Sequence, residues 1–190
     1  MRALLVACLL PAIAWAVDGG GYVRIPGGEF TTALKYEDAA GPVRIAPFEM
    51  MRQPVTNAQF AAFVHRHPEW QRGVVAPVFA GPDYLGHWPS STRLAPGPQA
   101  GQPVTRVSWF AATAFCEAQG GRLPRWLEWE YVAAADATRR DARRDPAWRE
   151  RILTWYARPS SHALAPAGSG ARARAGRAHR PRPAASTRIP

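Results

Sequence analysis

Lysine is almost missing. Lys35 is the one lysine in 190 residues, so 23 of the 24 basic residues are arginine. Surfaces that bind phosphate backbones usually mix the two. The charge is also uneven. Residues 159–190 hold six arginines and no Asp or Glu, which leaves 10 − 6 = +4 for the rest of the chain. A basic excess confined to such a stretch gives weak, salt-dependent adhesion, and specific nucleic-acid binding is not expected.

Cysteine and long apolar runs are scarce as well. The apolar run from Ala3 to Ile13 is too short to cross a bilayer. With Arg2 before it and Ala14-Trp15-Ala16 after it, residues 1–16 read as a signal peptide. A periplasmic or secreted location is therefore expected, with no transmembrane segment after cleavage. Leu5-Val6-Ala7-Cys8 resembles a lipoprotein box but leaves too few residues ahead of it. Cleavage would leave Cys116 as the only thiol, so no disulfide can form within the chain.

Several catalytic signatures are missing too. No glycine-rich phosphate loop follows a strand, and no G-x-S-x-G elbow occurs. His65 and His67 are two apart, so on a helix they point to different faces and make no metal pair. No cofactor or metal is expected.

What remains is a chain with 47% apolar residues and eight tryptophans, enough for one core packed on aromatic anchors. Residues 22–30 read as two strands around a Pro-Gly turn. Residues 43–50 read as a strand pair broken at Pro47. Four helices are expected. The first starts at Thr56, whose hydroxyl caps it, and stops at Pro68. The second spans residues 109–119 behind Ser108, and its first residue, Trp109, is expected to pack on the core. The third follows Leu123-Pro124 and runs to about Ala135. The fourth starts at Asp145-Pro146 and ends at Arg158-Pro159.

Other side chains are readable in local terms. Asn57 near a helix start can bond turn backbone. Arg122 can fork a carboxylate, with Glu128 or Glu130 as its partner. Residues 71–103 form a long aromatic loop, and Tyr84, His87 and Trp88 within it are candidates for a binding groove or for loop packing.

Three segments occur in order: Pro54-Val55-Thr56-Asn57-Ala58-Gln59-Phe60, then Pro103-Val104-Thr105-Arg106-Val107-Ser108-Trp109, then Gly121-Arg122-Leu123-Pro124 with Leu127-Glu128-Trp129-Glu130-Tyr131. Together they resemble the formylglycine-generating enzyme family, also called the sulfatase-modifying-factor domain. The resemblance implies an α+β, C-type-lectin-like fold with little regular structure, incomplete at the C-terminus. On it, residues 17–160 are a partial domain; residues 161–190 read, from composition, as a disordered Ala/Arg/Pro/Gly-rich tail. Thr56, Asn57, Ser108, Trp109, Arg122, Leu123, Pro124, Glu128, Trp129 and Glu130 are its motif scaffold.

Arg125-Trp126 stands where the family has Thr-Glu, so an acidic residue is expected to be missing from the first turn of the third helix. The family's reactive, copper-binding cysteine pair belongs to later segments that this chain lacks, and Cys116 is not one of that pair. The resemblance therefore implies an exported, catalytically inactive member acting on or beside an exported protein or peptide. The alternative is a non-catalytic periplasmic binding or accessory module for a peptide or glycan. If later strands are missing, Trp109 and Trp129 should be wetter than a complete domain allows.

Overall fold

A computed structural model of the chain describes residues 21–33, 41–157 and 164–169. The expected signal peptide and most of the expected tail lie outside these residues. No helix among the described residues is long and apolar enough to cross a membrane.

The fold is α+β. Four short strands come first: β1 (Tyr22–Ile25), β2 (Gly28–Phe30), β3 (Val43–Ile45) and β4 (Phe48–Met51). The strand segments follow the sequence reading, but their pairing corrects it. β3 and β4 are not partners. β1 pairs antiparallel with β4, and β2 with β3. Ile25 faces Phe48 and Gly28 faces Ile45, so two residues on each side separate the halves. The register therefore continues through a corner where Pro26-Gly27 faces Ala46-Pro47. Proline has no amide to donate, which interrupts the ladder there. Gly27 sits at φ 71°, and a Cβ on it would collide with the Ile45 carbonyl.

The helices are α1 (Asn57–Arg66), α2 (Trp109–Ala118), α3 (Trp126–Ala133) and α4 (Pro146–Tyr156). Their starts follow from local chemistry. Thr56 Oγ1 accepts from Gln59 N while Gln59 Oε1 accepts from Thr56 N, a reciprocal box. Ser108 Oγ accepts from Ala111 N at 3.0 Å, and Asp145 Oδ1 from Ala147 N at 2.9 Å. Pro68 opens a short 3-10 turn directly after α1.

Two cores result. The larger joins α1, α2 and the 84–88 loop through Phe60, Phe63, Val64, Leu85, Trp88 and Phe115. Phe60 stacks on Phe115 at 5.6 Å and meets Trp88 edge-on at 6.4 Å. The smaller packs Phe30 and Ile45 of the ribbon against Tyr131 of α3 and Ala134 at its C-cap.

One expectation about α2 changes. Trp109 does not pack on the core; it is 67% exposed. Within residues 164–169, Ala167 N donates to Gly101 O at 2.7 Å, and a Cβ on Gly168 would collide with the Gln53 side chain.

Candidate functional site

The motif residues act first as scaffold. Asn57 is 2% exposed and fully engaged. Its Nδ2 donates to Gln99 O at 3.0 Å and Gln102 O at 3.3 Å, and its Oδ1 accepts from Trp88 Nε1 at 3.0 Å. One side chain thus ties the start of α1 to two distant loops, as a buried amide must to be satisfied.

Arg122 resolves its two possible partners. Its Nη1 and Nη2 donate to the two oxygens of Glu128, both at 2.7 Å. Glu128 Oε2 also accepts from Arg125 N at 2.8 Å. The expectation that the first turn of α3 lacks an acid is therefore corrected. Glu128 occupies that turn and meets the positive end of the helix dipole. The Arg122 fork, opposed by burial, pulls the Glu128 carboxyl down to about 2.

Glu130 goes elsewhere. It accepts from Thr32 Oγ1 and Ala33 N, both at 2.6 Å, and Arg143 Nη1 lies 3.7 Å away. Arg143 also rests on the Phe30 ring, 4.5 Å from its centroid. Glu130 thereby ties α3 to the ribbon.

The three aromatic-loop candidates do not form an open groove. Tyr84 and Trp88 are 4% and 2% exposed. Tyr84 OH donates to Trp70 O at 2.8 Å, and burial raises its pKa. His87 is half-buried, and its Nδ1 has no hydrogen-bond partner. Burial, then Arg106 and Arg72, hold its pKa below the ordinary value.

A cavity of about 810 Å³ opens elsewhere among the described residues. One wall is the outer half of the ribbon, Tyr22 and Phe48 to Met51. The other is the turn from α2 to α3, including Arg122, Leu123, Pro124 and Glu128. Cys116 and Gln53 also line it. Sequence reasoning found one wall through the Gly-Arg-Leu-Pro motif. It missed Met50, Met51 and Gln53, because only the strand pairing brings them there. Trp129, half-exposed, is not among the lining residues.

Cys116 is partly buried against the larger core. Burial, with the neighbouring Glu117, pushes its thiol pKa up. A protonated thiol is a poor nucleophile and a poor metal ligand. The copper-binding cysteine pair implied by the resemblance does not fit the described residues, where Cys116 has no second thiol beside it. No group of three or more His, Cys, Asp or Glu among them is placed to hold a metal ion.

The sulfatase-modifying factor enzyme 1-like domain matches residues 14–178. A formylglycine-generating enzyme of Streptomyces coelicolor is 35% identical over 175 residues, covering 73% of this chain and 56% of that protein. A hercynine oxygenase of Mycolicibacterium smegmatis is 32% identical over 176 residues, covering 80% and 39%. The mouse protein named inactive C-alpha-formylglycine-generating enzyme 2 is 33% identical over 143 residues, covering 58% and 46%. The chain spans about half or less of the length of these relatives. From the ordered motifs, the fold they build and a match across residues 14–178, this chain belongs to the sulfatase-modifying factor enzyme 1-like family.

Proposed function

We propose that this chain is an exported, non-catalytic member of the family that holds an extended polypeptide in the cavity beside Arg122 and Glu128. The observation that carries this reading is the placement of β4 along that cavity. β4 pairs with β1 on one edge, and no described strand pairs with the other. A free edge gives an extended peptide a row of backbone partners, while the cavity receives alternate side chains. The Arg122–Glu128 fork stiffens the opposite wall.

The lack of oxidase chemistry rests on the thiols. A two-cysteine oxidation needs adjacent thiols of which one ionises readily. Cys116 has a raised pKa and no neighbouring thiol among the described residues. Relatives named inactive, from mouse and cattle, support a non-catalytic role. On this reading the described fold is the N-terminal portion of a C-type-lectin-like domain. The exposure of Trp109, Trp129 and α4 fits that view. A glycan-binding role through Tyr84, His87 and Trp88 has their burial against it.

The test uses the full chain, exported alongside a sulfatase, and mass analysis of the sulfatase cysteine. The cysteine is expected to stay unmodified. The sulfatase peptide is expected to bind the chain, and Met51→Arg, which places a charge on the apolar cavity wall, to abolish binding. Aldehyde above the chain-free control overturns the non-catalytic reading, and undiminished binding by Met51→Arg overturns the site.

A further inference from the structure

The net charge of the chain comes from one stretch. Residues 139–190 hold 13 arginines against Asp141, Asp145 and Glu150, so 13 − 3 = +10. Residues 1–138 hold 11 basic and 11 acidic residues and balance. α4 lies inside the charged stretch. Two of its three acids are already engaged, Asp141 by Arg143 and Asp145 by Arg139. Arg149 and Arg151, on the helix itself, have no ion-pair partner among the described residues.

The same helix is bare of cover. It buries no residue. Trp148, Ile152, Trp155 and Tyr156 recur at i, i+4, i+7 and i+8, which sets them in one stripe, with Arg149 and Arg151 at its borders. Trp148 and Ile152 are half-buried. Toward the C-terminal end the apolar surface emerges, and Leu153, Trp155 and Tyr156 are each more than 60% exposed. The Trp155 and Tyr156 rings meet edge-on at 5.0 Å.

We infer that α4 docks on an anionic lipid surface, lying in the headgroup layer with Leu153, Trp155 and Tyr156 inserted. Charge and apolar area together select this occupant. A second copy of the chain would bring the same arginines against themselves. A nucleic acid offers phosphates but no apolar layer for Leu153. Anionic lipid supplies both, and Trp and Tyr suit its interface because each has an apolar body and a polar tip. Eleven residues make about 16 Å of helix, too short to cross the hydrocarbon and long enough to lie along it. The arginines of residues 159–190 add attraction that needs no fixed partner, roughly fivefold in affinity for each one near the surface. The inference rests on neither the cavity nor its peptide.

The test is sedimentation of the full chain with vesicles of phosphatidylcholine containing about a third phosphatidylglycerol, beside vesicles of phosphatidylcholine alone. Binding should be at least about tenfold tighter to the anionic vesicles and should weaken as salt rises. Changing Leu153, Trp155 and Tyr156 together to serine should weaken it by about tenfold or more, with the melting temperature unchanged. Lipid brominated on its acyl chains should quench tryptophan emission. Trp155→Phe should remove most of that quenching while binding persists, and Trp109→Phe should not. Equal binding to both vesicle types, undiminished binding by the triple variant, or quenching indifferent to Trp155→Phe overturns the inference. So would vesicle-free dimerisation that the triple variant abolishes, because a second copy would then be the occupant.

Discussion

α1 and α4 start alike and end up in opposite situations. Both have a side-chain cap on the first turn, Thr56 for one and Asp145 for the other. Both run ten or eleven residues. Yet α1 buries Asn57, Phe60, Phe63 and Val64, while α4 buries nothing and leaves Leu153, Trp155 and Tyr156 more than 60% exposed. Capping sets where a helix begins and contributes about 1 kcal/mol. Tertiary packing of the apolar face supplies most of a helix's stability. The difference between the two helices lies in their partners and in how sharply their apolar residues gather on one face, which is stronger in α1.

The strongest way to break the contrast is Phe60→Ala. The ring touches Phe63, Trp88 and Phe115, so its removal leaves a cavity and should cost about 3–5 kcal/mol in chemical denaturation. Asn57→Ala should follow at about 2–3 kcal/mol, because it orphans Trp88 Nε1 and the carbonyls of Gln99 and Gln102. A loss under about 0.5 kcal/mol in either case would mean that α1 does not anchor the core.

Glu128→Gln comes next, at about 1–2 kcal/mol, since the Arg122 side of the pair is half-exposed and screened. Its pH signature is more specific. The folded pKa, about 2, lies below the ordinary 4.5. The stabilisation is therefore full above about 4.5 and lost as pH falls toward about 2. Thermal melts from pH 5 to 2 should show a smaller fall in the variant. Asp136, Asp141 and Asp145, held down by Arg139 and Arg143, keep part of that fall in place. An unchanged slope would remove Glu128 from the account.

The smallest effect belongs to α4. Leu153→Ser should change stability by about 0.5 kcal/mol or less, because the side chain is bare. A larger loss would show that α4 has a partner in solution. That result would erase its contrast with α1.

The comparison also shows what could be read without coordinates. Caps were legible because Thr56, Ser108 and Asp145 act within three residues of themselves. The strand segments were legible from alternation, but β3 and β4 looked like partners because they are neighbours in sequence. Their true partners are set by a corner that local pattern does not encode. Tyr84 and Trp88 looked like a surface because nothing nearby covers them. Their burial depends on Trp70 and Asn57, which lie 14 and 31 residues away. The cavity was half legible for the same reason. Its motif wall is local, and its strand wall is brought in by pairing.

The corner at Gly27 makes the ribbon a single lever with two arms. One arm, β2 and β3, is fixed in the smaller core by Phe30 and Ile45. The other, β1 and β4, forms a cavity wall. Anything that pushes that wall outward must either bend the joint or strain the packing on α3. Occupancy of the cavity is thereby mechanically tied to the Tyr131 and Glu130 contacts behind it, with no separate moving part.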